Sequence, residues 1–537
     1  MKKNNEFIKN YSEYLKDESR VVGSAEDISF PKTEKEVIEI VKDLYHRDIP
    51  MTIQGARTGL AASAVPFGGH IINLSRMNKI LGAKYIEKQD TFYLTLQPGV
   101  LLIELRKALL NKTFLVNDWD EASIDAIAKL KAGEWFFLPD PTETSASIGG
   151  MLSCNASGAR SFRYGSTREH ISGITVVLPD GDLISIKRGQ NYVKDGLFSI
   201  KTQSRRSISS VLPKLRDVKV KKNTAGYYIK QDMDMIDLFI GAEGTLGIIT
   251  SVEVKLTRAY SYKWGITTFM PDEDKALDLV RMLRGEQVID HVKRYSFKPS
   301  AIEFFNHNAL KLLRAQQKQN PAFSQIQEIK SSYHTAVYTE MESNHEEEIW
   351  EAVKELGKII EILGGNEEDT WVAKKSTDMA KLHFFRHATP ECVNMQIDEI
   401  RKTDTRLTKL GTDMSVPDNC LKKVMKMYNE GLEENHLNAV IFGHIGNNHL
   451  HVNIIPRDIE DYERGKKLYK KWAKAIVEMG GTVSAEHAVG KLKIPFLKEM
   501  YSEKEFDQFR EIKKLFDPKQ LLNRGNIFEF IPLKEVE

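Results

Sequence analysis

Three cysteines in 537 residues, Cys154, Cys392 and Cys420, are too few and too scattered for a disulfide framework, and no Cys-x-x-Cys pair exists to hold zinc or an iron–sulfur cluster. They are read as reduced thiols of a cytosolic protein, and any redox chemistry must rest on another cofactor. Long apolar runs are also missing: nothing approaches the roughly 18 unbroken apolar residues of a membrane-spanning helix. The opening MKKNNEFIKN has basic residues but no apolar stretch behind them, so no export signal is expected. Net charge is small as well. Lys and Arg number 77 against 75 Asp and Glu, which leaves no global field to draw the molecule to nucleic acid or an anionic membrane.

What is present is an ordinary globular composition, 41% hydrophobic and 28% charged. Residues 26–47 open with a proline-marked entry and continue with Val37, Ile40, Val41 and Leu44 at helical spacing. IPMTIQ (49–54) reads as a strand that runs into the small-residue loop GARTGLAASAVPFGGH before INLSRMNKI resumes strand character. Further on, a helix is expected at 101–110, and ITVVLPDGDLISI reads as a hairpin turning at Asp180-Gly181. The first unit closes near 258. Beyond it, strand and helix candidates alternate in a way that suits an antiparallel sheet with helices on one face. The tail over about 502–524 reads as helical.

Two charge blocks stand out. Residues 201–222 carry eight Lys/Arg against one Asp, and 340–369 is rich in glutamate. Each reads first as a solvated face; the basic block would otherwise dock an acidic partner or lipid head groups.

Three small-residue loops are candidates for a ligand cradle: Gly55-Ala56-Arg57-Thr58-Gly59-Leu60, the run from Ser145 through Gly150 to Asn155-Ala156-Ser157-Gly158, and Gly241 to Gly247. One alone would be a tight turn; three together allow a large phosphorylated cofactor to approach the backbone. In FGHIGNNHLHVN, His449 and His451 share one face of an extended segment, and the glycine turn can return His444 toward them. Glu486-His487 can add a carboxylate and an imidazole. Two His and one Glu would suit Zn²⁺, Mn²⁺ or Fe²⁺, and a hydrogen-bonded histidine network is the competing reading. Arg386 and Lys409 are both candidates to clamp a carboxylate, with Arg the better planar donor.

The ordered set IPMTIQGARTGLAASAVP, QPGV, LPDPTETSASIGGMLSCNASGARSFRYGSTREHISGITVVLPDG, KNTAGY, IGAEGTLGIIT, FGHIGNNHLHVNI, VSAEHAVGKLK and IKKLFDPKQLLNRGNIF spans about residues 26–528. It resembles the FAD-linked oxidases of the vanillyl-alcohol-oxidase (PCMH) type, in the branch of D-lactate dehydrogenases, D-2-hydroxyglutarate dehydrogenases and the glycolate oxidase FAD subunit. The resemblance implies an α+β fold: a two-subdomain FAD-binding domain over 1–258, a ferredoxin-like antiparallel cap with helices over 259–500, and a segment over 501–537 that returns to the flavin. It implies noncovalent FAD, with Gly55, Ala56, Arg57, Thr58, Gly59 and Leu60 cradling the pyrophosphate. Ser147, Gly149, Gly150, Asn155, Ser157 and Gly158 would lie on the flavin side, Glu243, Gly244 and Gly247 toward the adenine, and Asn523 over the isoalloxazine. His444, His451 and Glu486 match the ligands of metal-bearing members, His487 the base, and Arg386 the substrate-carboxylate arginine.

The implied activity is oxidation of a D-2-hydroxy acid (lactate, glycolate or 2-hydroxyglutarate) to the 2-oxo acid, with hydride passing to flavin N5. Electrons would leave to an external acceptor: an electron-transfer flavoprotein, quinone, cytochrome or iron–sulfur subunit. The expected location is the cytoplasm, with peripheral contact at the inner membrane face as a further expectation. Two alternatives share the fold: a flavin transferase like alkylglycerone-phosphate synthase, or an FAD-binding subunit of an electron-transfer complex whose substrate site is idle. The chain also departs from the pattern. Ala56 and Arg57 interrupt a run of glycines, so Arg57 must adopt a left-handed backbone or the loop must be reshaped. Asn447-Asn448-His449 stands where Asp-Gly-Asn is common, and Arg524 replaces a usual proline. Residues 112–134 and 201–222 look rebuilt.

Overall fold

The structure, a computed structural model, describes residues 10–530; the segment read for export signals lies almost entirely outside the described residues. Near the N-terminus, Asp27–Ser29, His70–Asn73 and Met51–Gln54 form a small parallel sheet in that order. Parallel pairing needs a crossover, which the helix Glu34–His46 supplies. Thr33 caps its first turn, and Val37, Val41 and Leu44 face Met51 and Ile72. The strand expected over INLSRMNKI is broken. The Asn73 side chain accepts from Ser75 N and turns the chain through Leu74–Arg76 before the next strand begins at Ile80.

A second, antiparallel sheet runs Ile80–Ile86, Thr91–Leu96, Ile248–Lys255, Ile171–Val177, Leu183–Lys187. Its last pair is the hairpin expected at Asp180-Gly181, with Gly181 at φ +81°. Residues 112–134 contain a helix that the sequence pattern did not reveal, Glu121–Lys129, capped by Asp120 and set against the strand Ile80–Ile86. The basic block begins as a hairpin, Leu197–Lys201 with Ser207–Val211, and continues without helix to Lys222.

The third sheet is the largest and wholly antiparallel: Trp371–Ala373, Tyr262–Met270, Thr335–Ser343, Ala301–Phe305, Ala439–Gly443, His449–Ile454, Leu410–Gly411, with Met414–Ser415 also on His449–Ile454. Helices cover both of its faces, not one as the alternation suggested. Glu273–Leu283 and Glu346–Ile362 pack with Phe304 and Met341, while His307–Gln319 and Ser376–Arg401 pack with Phe305 and Tyr338. The reason is in the strands: all residues of Ala301–Phe305 and Thr335–Ser343 are buried, so neither face can meet water.

The tail leaves this body and returns to the first sheets. In the helix Glu503–Phe516, Phe509 meets Tyr227 edge-on and Phe516 meets Phe239. The buried Lys513 ammonium donates to Asp517, Thr245 O and Leu522 O. Leu522 then pairs in parallel with Met51, on the edge of the small sheet.

Candidate active site

A cavity opens where the strand Met51–Gln54 ends. All of Gly55–Leu60 line it, with Ser147, Gly149, Gly150, Ser157, Glu243, Gly244, Gly247 and Asn523. Gly55 is packed so tightly that an added Cβ would meet Ser147 Oγ at 2.2 Å. That hydroxyl receives the Ala56 and Gly150 amides, and so joins two of the loops. Asn155 and Gly158 do not line the cavity. Asn155 Oδ1 accepts from Arg168 N and Ser166 Oγ, and Gly158 lies so close under the Asp140 carbonyl that an added Cβ would sit 1.7 Å from its oxygen. Both shape the turn that presents Ser157.

Three non-glycine residues on the cavity wall, Arg57, Glu243 and Asn523, have left-handed backbones (φ +61°, +54° and +42°). Of the two outcomes expected for Arg57, the left-handed backbone is the one adopted. Its guanidinium lies over the Tyr14 ring at 4.1 Å, 3.7 Å from Glu13, and its buried Nη1 has no partner. Asn523 accepts from Ile53 N at 2.7 Å and donates to Glu243 O at 2.6 Å, pinning the tail to two walls. The Glu243 carboxylate takes the amides of Val489 and Gly490 and the Ser63 hydroxyl, and burial raises its pKa against those bonds. Close-approach backbone at Gly55 and one unpartnered guanidinium nitrogen on Arg57 suit a large diphosphate cofactor such as FAD.

Glu486 and His487 stand at the same cavity wall. Behind them, His444, His449, His451 and Glu486 each direct one ligand atom into a group whose members lie within 4.8 Å of one another. The Gly443–His444 turn folds His444 back against the strand His449–Ile454, placing the rings of His444 and His451 5.5 Å apart. His444 Nδ1 bonds Glu303 at 2.7 Å while Nε2 faces Glu486 at 3.2 Å. His451 Nδ1 donates to Thr412 O, leaving Nε2 toward Glu486 at 3.4 Å. Imidazoles backed on one nitrogen and open on the other are what a divalent cation requires. His449 is fully buried, with Nε2 3.0 Å from Asp413 and Nδ1 3.7 Å from Glu486. The donor set fits Zn²⁺ or Mn²⁺.

The electrostatics divide these histidines. Burial alone would lower His444, but Glu303 and Glu486 overturn it and raise it to about 9. Burial holds His449 down at about 3 and His487 at about 4, so both are neutral at pH 7. His487 Nδ1 is 3.5 Å from Asp413 Oδ1, and the same carboxylate accepts the amides of Glu486 and His487.

Arg386, on the helix Ser376–Arg401, lines a second cavity that shares Pro141 and Thr142 with the first. Its Nη1 has no hydrogen-bond partner, and the nearest carboxylates, Asp140 and Glu340, are 3.8 and 3.9 Å from the guanidinium. Lys409 lines neither cavity; it donates to Asn394. Asp413 and Glu303 went unread in the sequence, whereas His449 faces the cluster beside His451 as their shared strand face implies. Glu303 had a visible signal, a lone acid inside the otherwise apolar AIEFF. Lys222, the last cation of the block read as a solvated face, is instead buried and donates to Glu486 at 2.7 Å.

Residues 273–527 match the FAD linked oxidases, C-terminal domain, and residues 26–124 and 123–187 match the FAD binding domain. The fold and these matches define an FAD-linked oxidoreductase. The chain carries both domains of the FAD-linked oxidases. It is 28% identical to the D-lactate dehydrogenase of Anaerostipes hadrus over 96% of its own length and 92% of the relative's. It is 24% identical to the glycolate oxidase subunit GlcD of Bacillus subtilis (strain 168), covering 93% and 88%. With the D-2-hydroxyglutarate dehydrogenase of Stutzerimonas stutzeri (strain A1501) it shares 25%, over 93% and 90%. Among solved structures, an alkyldihydroxyacetonephosphate synthase shares the fold with a TM-score of 0.57 at 16% identity, covering 92% of this chain and 76% of the other.

Proposed function

We propose that this enzyme oxidises a D-2-hydroxy acid to the 2-oxo acid, reducing FAD, and that the electrons then leave to an acceptor outside the chain. The observation that carries this reading is the position of Glu486 and His487: one wall of the flavin cavity is also the edge of the histidine cluster. When bound, FAD supplies the two-electron acceptor, and a divalent metal on His444, His451 and Glu486, with His449 beside them, supplies a Lewis acid.

The chain's own residues divide the remaining work. Arg386 pairs its free Nη1 with the substrate carboxylate and orients the alpha carbon. Neutral His487 takes the hydroxyl proton, and Asp413 steadies its ring and stabilises the imidazolium that forms. Gly55–Leu60, Ser147–Gly150, Ser157 and Glu243–Gly247 hold the cofactor; the three-part division at about 258 and 500 assigns cofactor, substrate and closing tail in turn. Three unpaired thiols support a reducing, cytoplasmic setting. Among the described residues no helix is long and apolar enough to cross a membrane. The transferase alternative has only fold likeness behind it and gives the His444–His487 cluster no task.

Anaerobic addition of D-lactate, glycolate, D-2-hydroxyglutarate and longer D-2-hydroxy acids to the yellow holoenzyme tests the reading. At least one should bleach the flavin band; a spectrum unchanged across the panel would overturn it.

A further inference from the structure

The cavity beside Arg386 has a volume of about 490 Å³, in the range of pockets that enclose molecules far larger than a two- or three-carbon acid. Its charges are nearly balanced. Arg106 sits 2.9 Å from Asp140, Arg160 3.1 Å from Glu340, and Lys263 2.8 Å from Glu340, with Glu342 3.6 Å from Arg160. Four cations therefore face three carboxylates, and Arg386 is the cation with no carboxylate nearer than 3.8 Å: its Nη2 meets His387 Nε2 at 3.0 Å and its Nη1 has no hydrogen-bond partner. A single substrate carboxylate completes the balance. A second would sit against Glu340 or Glu342, whose cations Arg160 and Lys263 are already paired.

The outer wall is apolar: Leu109, Leu110, Trp135 and Phe136, joined by Ala259. Leu109 and Leu110 immediately precede the rebuilt segment 112–134, and Trp135 and Phe136 immediately follow it. That segment thus frames the pocket.

From the charge balance and the apolar wall we infer that the substrate is a monocarboxylic D-2-hydroxy acid with an extended apolar side chain, neither a dicarboxylate nor a two- or three-carbon acid. The inference rests on the dehydrogenase reading and on Arg386 as the carboxylate partner.

The test compares kcat/KM of the holoenzyme, with an artificial electron acceptor, for glycolate, D-lactate, D-2-hydroxybutyrate, D-2-hydroxyhexanoate and D-2-hydroxyglutarate. Each added methylene should raise kcat/KM about fourfold until the pocket is filled, and 2-hydroxyglutarate should fall well below the hexanoate. Ala259→Leu, which fills part of the apolar lining, should lower kcat/KM for the hexanoate by a larger factor than for lactate. Glu342→Gln, which frees positive charge, should narrow the gap between hydroxyglutarate and hexanoate at least tenfold. Turnover of lactate or glycolate equal to that of the hexanoate, or preference for hydroxyglutarate, would overturn the inference and leave the dehydrogenase reading intact. Failure of every acid to bleach the flavin would remove both.

Discussion

Lys222 donates to Glu486 Oε2 at 2.7 Å, and the Ser157 hydroxyl donates to the same oxygen at 3.0 Å. The other oxygen, Oε1, faces His444, His451 and His487 at 3.2, 3.4 and 3.6 Å. One carboxylate is thus split between a fixed ion pair and an open histidine face. Lys222 is 3% exposed, so removing its charge strands Glu486 in the interior. Lys222→Met should lower the stability of metal-free protein by about 3–5 kcal/mol, with divalent metal restoring part of it. Thermal melts with and without chelator measure this; identical metal-free melts of variant and parent would contradict the pairing.

Asp413 is reached by His487 through both its ring and its backbone amide. Asp413→Asn should keep FAD bound yet reduce kcat by on the order of 10²–10⁴-fold, because the imidazole loses its orientation and its counter-charge. Flavin absorbance and single-turnover reduction distinguish this from loss of folding. Unchanged flavin reduction would remove Asp413 from the proton path.

His444 links metal binding to pH. Its folded pKa of about 9 lies above the ordinary 6.5. In metal-free protein its stabilising contribution is complete below 6.5 and lost as pH rises through 9. A metal ligand must be deprotonated, so binding near pH 7 should release about one proton, and affinity should rise about tenfold per pH unit until pH 9. Calorimetry in buffers of different ionisation enthalpy reads the proton count. Binding without proton release would argue against His444 as a ligand.

Arg386→Lys keeps the charge but loses the planar pair of donors. KM for the hydroxy acid should rise about 10–100-fold, with flavin content unchanged. An unaltered KM would show that the carboxylate is held elsewhere.

Asn523→Ala removes two short bonds, leaving Ile53 N without its side-chain acceptor and Glu243 O with only the longer bond from Asn526 Nδ2 at 3.4 Å. At roughly 1–3 kcal/mol for an unsatisfied group, the cavity should loosen and FAD content after gel filtration should drop. Full flavin occupancy would refute the pin.

The sequence made much of this legible because local rules dominate certain segments. The helix at 34–46 and the turn at Gly181 follow from spacing and backbone sterics alone, while the left-handed backbone of Arg57 was one of two outcomes implied by the family resemblance. Segments governed by distant partners were harder. The helix Glu121–Lys129 is only nine residues long and three of its apolar residues are alanines, so its packing on the strand Ile80–Ile86 holds it more than its own pattern announces it. Asp413 looks like a turn residue in GTDMSVP, and only the fold brings it to His487, 74 positions away. The face of His449 was legible from its spacing to His451, but its pairing with Asp413 at 3.0 Å needed the fold.

The pinning of Asn523 also carries a consequence for biosynthesis. Ile53 and Glu243 leave the ribosome hundreds of residues before the asparagine that joins them. Until residue 523 is made, the cavity wall lacks its final clasp, and a domain formed early must wait for the last stretch of chain. Cofactor capture would therefore be a late event in synthesis, and a nascent chain stalled before the tail should carry a loosely held flavin or none.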